Sequence, residues 1–195
     1  MQSNPQMKAF VIDLLKKELP SNYYFHNHEH TLYVVDKTIE IAKHENCTEK
    51  EIELLSVAAL WHDVGYIHIY KGHEEEGCRL VKKYLPDYGY SKEDIATICG
   101  MIMATKIPQS PKTRLEEIIA DADMEYLGTP HPAGIANKLF RELNALDPSL
   151  TEKEWNKTQI SFLQQHSFFT NFCRTHRENA KAAYLKKLLK QQDSE

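Results

Sequence analysis

Little in this chain can make a tight turn. Of 195 residues only seven are glycine, and no stretch alternates apolar with polar residues. A sheet-rich fold needs both turn residues and a period of two, so a sandwich or barrel is excluded. Cysteine is equally sparse: Cys47, Cys78, Cys99 and Cys173 are scattered and form no CxxC, which argues against a zinc-thiolate site. Free thiols in a reducing compartment account for them better than disulfides. The formal net charge is only -4, with acids and bases interspersed, so nothing electrostatic points to nucleic acid or to a membrane surface. No apolar run approaches the length that spans a bilayer. The segment Met1-Gln-Ser-Asn-Pro5 lacks the charged-then-apolar layout of a signal peptide, so a cytoplasmic location is expected. Internal repeats, low-complexity tracts and linker-like segments are also missing. One domain over 1–195 is expected, with a motif-bearing core at about 22–128 and C-terminal helices at 131–190 packed on it.

What the chain does have is helical period nearly throughout. Phe10, Val11, Leu14, Leu15 and Leu19 form a first amphipathic face, stopped by Pro20. A second helix runs from about Asn27 to His44. The capping box Thr48-Glu-Lys-Glu51 opens a third, which ends at His62-Asp63. A loop from Gly65 to Gly72 precedes a fourth helix, His73 to Leu85. Ser91-Lys-Glu-Asp94 opens a fifth, reaching about Thr105. Thr113 to about Leu127 reads as a sixth and Ala133 to Leu146 as a seventh. Thr151-Glu-Lys-Glu154 opens one or two final helices to about Lys190, with Phe162, Leu163, Phe168, Phe169 and Phe172 as core packing. The tail from Gln191 to Glu195 is expected to fray. The expected fold class is all-α.

Histidine is plentiful, ten in all, and clustered: His26, His28 and His30 fall within six residues. His26 and His30, four apart, share a helix face, and His28 points away from it. The stretch Ala58-Ala-Leu-Trp-His62-Asp63-Val-Gly65 sets a histidine and an aspartate at the end of a greasy helix that carries no charge after Glu53. An ionised carboxylate buried there costs several kcal/mol unless something pairs with it, and a cation is the most economical partner. Ile118-Ile-Ala-Asp121-Ala-Asp123-Met places two more acids in an apolar helical run, on different faces. A histidine, the His-Asp doublet and one later aspartate make a set of nitrogen and oxygen ligands that suits Mn, Mg, Fe, Co or Zn.

The order His … His-Asp … Asp on an all-helical chain resembles the HD-domain superfamily of metal-dependent phosphohydrolases. The pieces that carry the resemblance are His26-Asn-His-Glu-His30, Leu60-Trp-His62-Asp63-Val-Gly65, Gly72-His73-Glu-Glu-Glu-Gly77 and Ala120-Asp-Ala-Asp123. The resemblance implies an HD-domain helical bundle with a C-terminal helical extension. His30, His62, Asp63 and Asp123 would be the metal ligands, with Asp123 preferred over Asp121. His26 would be a proton donor, as in the cyclic-nucleotide phosphodiesterases. His73 matches an extra histidine of members with two metals, so His73 and Asp121 stand as candidates for a second metal or its surroundings. Thr105 departs from that pattern, since such members often carry histidine there. Tyr66 replaces the lysine of the cyclic-di-GMP-cleaving branch, which is therefore disfavoured. The chain looks most like the small stand-alone bacterial HD hydrolases.

The chemistry implied is attack on phosphorus by metal-activated water, with His26 protonating the leaving oxygen and Asp63 at the catalytic centre. The substrate would be a small phosphorylated molecule, a nucleotide or relative. Tyr66, Lys106, Arg114 and Tyr126 are candidates for contacting it. Two other classes compete: a non-catalytic, metal-stabilised binding module, and a di-iron oxygenase like myo-inositol oxygenase, for which only His131 follows Asp123 closely. The sequence specifies neither the natural substrate, nor the native metal, nor the oligomeric state, a homodimer being one option.

Overall fold

In a computed structural model, residues 4–192 are described, and among them every regular element is helical. Ten α-helices follow in order: α1 (Pro5–Glu18), α2 (His28–His44), α3 (Glu49–Trp61), α4 (His73–Tyr84), α5 (Lys92–Ala104), α6 (Arg114–Asp123), α7 (Pro132–Leu146), α8 (Glu152–Gln165), α9 (Asn171–His176) and α10 (Glu178–Gln192). Short 3₁₀ turns lie at Val64–Ile67, Leu85–Tyr88 and Glu125–Gly128. None of the described helices is long and apolar enough to cross a membrane.

Local chemistry starts most of these helices. Asn4 accepts from the amides of Gln6 and Met7 ahead of α1, where Pro5 needs no partner for a missing N–H. Full capping boxes open α3, α5 and α8 at Thr48/Glu51, Ser91/Asp94 and Thr151/Glu154. Asn27 opens α2 through the amides of Glu29 and His30, which places His30 in the first turn. The sixth helix ends at Asp123, short of the expected Leu127. The apolar pattern continues through Met124, Tyr126 and Leu127, but the chain tightens into a 3₁₀ turn there. Glu125 is drawn to Tyr33 and Arg177, and Gly128 lies against the Arg177 backbone.

The core is organised around α3, whose residues Leu54 to Trp61 are all buried. Helices α2, α5 and α6 pack on it, and α4 packs on α5. Leu163, Phe168 and Phe172 join the core as expected, whereas Phe162 and Phe169 are only half-buried. Helix α10 packs on α8 and on the 125–128 turn, which ties the C-terminal helices to the motif-bearing part. Of the tail, Gln191 and Gln192 continue α10, and 193–195 lie outside the described residues.

Candidate metal centre and its cavity

His30 on α2, His62 and Asp63 just past α3, and Asp123 at the end of α6 converge in the interior. His30 Nε2 lies 3.0 Å from Asp123 Oδ1 and 3.5 Å from Asp63 Oδ2. His62 Nε2 lies 3.1 Å from Asp63 Oδ2 and 3.6 Å from Asp123 Oδ1. Ligand-type atoms of His30, His62 and Asp123 all fall within 4.8 Å of one another. His62 Nδ1 donates to the Ala59 carbonyl at 2.7 Å, which orients the ring with Nε2 toward the acids.

Two buried atoms here have no aligned hydrogen-bond partner: His62 Nε2 and Asp63 Oδ2. Both aim into the cluster, and leaving such groups unsatisfied is costly. Burial pushes the Asp63 carboxyl up, but His62 together with His26 and His30 outweighs it and holds the group below the usual range. For Asp123, burial is likewise overcome by its contacts with His30 and His62. Burial opposes charge on His62, yet Asp63 and Asp123 raise its pKa well above the ordinary value. Two carboxylates thus hold protons on imidazole where a cation would serve. The donor set, the orphaned atoms and the excess negative charge all fit a divalent metal.

Gly65 lets α4 come close. A Cβ there would sit 1.9 Å from the His73 carbonyl oxygen. As a result His73 Nε2 reaches 3.7 Å from Asp63 Oδ1, while its Nδ1 donates to the Tyr70 carbonyl at 3.3 Å. Tyr66 stacks on His73 with ring centroids 3.8 Å apart, and its hydroxyl lies 3.2 Å from His26 Nε2. The other nitrogen of His26 bonds Glu142 on α7. Glu142 is fully buried and also accepts from the amides of Phe25 at 2.8 Å and His26 at 3.0 Å, and from the Tyr70 hydroxyl at 3.3 Å. Burial resists charge on His26, but the bond to Glu142 and the nearby Asp63 and Asp123 raise its pKa overall.

These groups border a cavity of about 490 Å³. Its lining takes in His26, Asp63, Tyr66, His73, Asp123 and Tyr126, and continues onto α7, α8 and α10. Lys106 also borders it, but its ammonium is paired with Glu75. Two sequence-based expectations need correction. Arg114 is engaged by Glu51 at 2.7 Å and the Glu45 carbonyl at 3.3 Å, outside the cavity lining, because the start of α6 faces the N-terminal end of α3. Asp121 does not join the metal cluster, since its two oxygens accept from Phe169 N, Thr170 N and Thr170 Oγ1 at 2.8, 2.8 and 2.6 Å. His131 is exposed ahead of α7 and likewise outside this lining. Sequence reasoning missed Glu142, although one signal existed: it lies three residues after Leu139 and four before Leu146, on the apolar stripe of α7.

The HD-domain family model matches residues 27–124. Among curated proteins no match was found. Two solved structures are similar along most of their length. A predicted HD superfamily hydrolase from an uncultured Thermotogales bacterium is 19% identical with a TM-score of 0.63, covering 95% of this chain and 91% of that one. Bacillus subtilis YpgQ, solved in complex with ADP, is 18% identical with a TM-score of 0.61, covering 95% of this chain and 96% of its own.

Proposed function

The chain belongs to the HD-domain family, and we propose that it is a metal-dependent phosphohydrolase, cleaving a phosphate ester or anhydride of a nucleotide or related small molecule. The observation that carries this reading is the buried pair His62 Nε2 and Asp63 Oδ2, 3.1 Å apart without an aligned hydrogen bond, converging with His30 and Asp123. The ADP bound to the related YpgQ supports a nucleotide as the substrate class.

His30, His62, Asp63 and Asp123 would hold the cation. A divalent ion held there would lower the pKa of bound water and polarise a phosphoryl oxygen. The chain's own residues do the rest. Glu142 takes His26 Nδ1–H and leaves Nε2 facing the cavity. The same carboxylate favours the protonated ring, so His26 carries a proton to the leaving oxygen as the bond to phosphorus breaks. Tyr66 stacks on His73 and places its hydroxyl at His26 Nε2, which limits where the ring can turn.

A panel of nucleotides, cyclic nucleotides and phosphomonoesters, assayed with Mn²⁺, Mg²⁺, Co²⁺ or Fe²⁺, tests the proposal. Hydrolysis that needs the metal is expected. In His26→Ala the rate should fall by about 10²–10⁴-fold with metal still bound, the usual worth of a general acid. p-Nitrophenyl phosphate, whose leaving group needs little protonation, should lose less. Equal losses on good and poor leaving groups would make His26 structural. No hydrolysis across the panel would favour a metal-stabilised binding module.

A further inference from the structure

The cavity is lopsided in chemistry. The carboxylates and imidazoles of the lining come from the side formed by α2, α3, α4 and α6, with His26, Asp63, His73, Glu74 and Asp123. The wall from α7, α8 and α10 is different: Leu139, Leu143, Trp155, Phe162, Leu163 and Tyr184, with no lysine, arginine or carboxylate. Within that wall one amide is placed among apolar groups. Gln159 is buried; its Oε1 accepts from the Tyr184 hydroxyl at 2.7 Å, and its Nε2 donates to Asn156 at 3.2 Å. A side-chain amide has two N–H donors. Asn156 takes one, so a second remains on a group oriented by two partners.

We propose that α7, α8 and α10 form the recognition chamber for the substrate's organic group, and that this group is a flat, uncharged heteroaromatic ring with an acceptor for Gln159. The inference rests on the phosphohydrolase reading, in which phosphorus sits at the His-Asp cluster. A sugar phosphate is disfavoured, because each hydroxyl pushed against leucine and phenylalanine would lose water without a partner. A polyphosphate tail in the chamber is disfavoured for the same reason, more strongly, since no cation lines that wall. A flat ring can stack on Trp155, Phe162 or Tyr184 and still satisfy its one or two polar edge atoms.

The test can be made without metal or turnover. The protein has two tryptophans. Trp61 is fully buried against Phe10 and Tyr84, while Trp155 borders the chamber. Metal-free protein is titrated with adenosine, and separately with ribose 5-phosphate, while tryptophan fluorescence is followed. Saturable quenching by adenosine is expected, absent in Trp155→Phe, with little response to ribose 5-phosphate. Leu143→Trp, which fills the chamber with another apolar side chain, should abolish adenosine binding, its fold being checked by circular dichroism. Gln159→Leu should weaken adenosine by about tenfold, the worth of one buried hydrogen bond, while leaving naphthalene, which offers no acceptor, unaffected.

Ribose 5-phosphate binding as well as adenosine would overturn the proposal. So would adenosine binding that is indifferent to Leu143→Trp, or a complete lack of response to adenosine. The two readings fail separately. Adenosine binding without hydrolysis of any ester would keep the chamber and remove the phosphohydrolase. Hydrolysis of sugar and nucleoside phosphates with equal kcat/KM, without adenosine binding, would keep the enzyme and remove the chamber.

Discussion

Glu142 is a fully buried carboxylate that accepts two backbone amides and a histidine nitrogen, and its position makes sense only through His26. If it only accepted local hydrogen bonds, its charge would leave the pH dependence set by His26 unmoved. If it orients and charges His26, Glu142→Gln should move the alkaline limb of kcat/KM to lower pH. The sign follows from the raised His26 pKa: removing the anion removes a cause of the rise, so the ring loses its proton earlier. Metal content should stay the same; an unmoved limb would reduce Glu142 to packing. The two aspartates of α6 separate in the same way. Asp63→Ala should strip most of the metal, as should Asp123→Ala. Asp121→Ala should keep it, yet cost about 3 kcal/mol, because the buried Thr170 amide and hydroxyl lose their acceptor. Metal loss in Asp121→Ala alone would reverse that assignment. Local spacing brought forward the histidine pair, the His62-Asp63 doublet and the two acids of α6; it was the resemblance to the HD-domain superfamily that singled out His30, His62, Asp63 and Asp123 among them. Its place on the apolar stripe of α7 marked Glu142 as buried, but nothing local paired it with His26, 116 residues away.

Helix starts were legible because capping is local chemistry: Thr48, Ser91 and Thr151 each open the helix that their sequence implies. Helix ends were less so. The early stop of α6 depends on Glu125 reaching Tyr33 and Arg177, contacts that no nearby residue announces. The 3₁₀ turn at Val64–Ile67 belongs to the same class, since its form follows from how closely α4 passes. Gly65 is the point of closest approach between the end of α3 and α4. Gly65→Ala should cost about 3 kcal/mol, at the upper end of overpacking because backbone rather than a side-chain tip must yield. That corresponds to a Tm lower by roughly 6–12 °C for a chain of this size. Gly134→Ala is the control: a Cβ at this position within α7 meets nothing within 4 Å, so Tm should hold or rise slightly. A Gly65→Ala protein as stable as the parent would show that α4 has room to shift.

At the scale of the whole molecule, the centre couples metal, protons and stability. Without metal, the raised His62 pKa is a stabilising contribution fully present below the unfolded value of about 6.5 and lost as pH rises through the folded value. The lowered Asp63 and Asp123 values act in the opposite sense, present above about 3.9 and lost as pH falls through their folded values. The centre therefore favours the metal-free fold most between about pH 4 and 6.5. Metal needs the imidazoles neutral, so its affinity should climb with pH over the range in which the metal-free fold loses His62's contribution. The gap in Tm between metal-loaded and chelator-treated protein should widen from about pH 6 to 8. At metal near a hundredfold over Kd the gain is about 2.7 kcal/mol, or roughly 5–10 °C. His26 and His73, which feel the Asp63 charge, enter the same balance, whereas His166 does not. Burial and Lys181 bring His166 down to about 4, which erodes stability as pH falls, but His166 is outside the ligand set and acts alike in both forms. Thermal melts of both forms across that pH range are the check. A gap that stays constant or narrows with rising pH would mean that the ion does not displace the proton from His62, and the ligand assignment would fall with it.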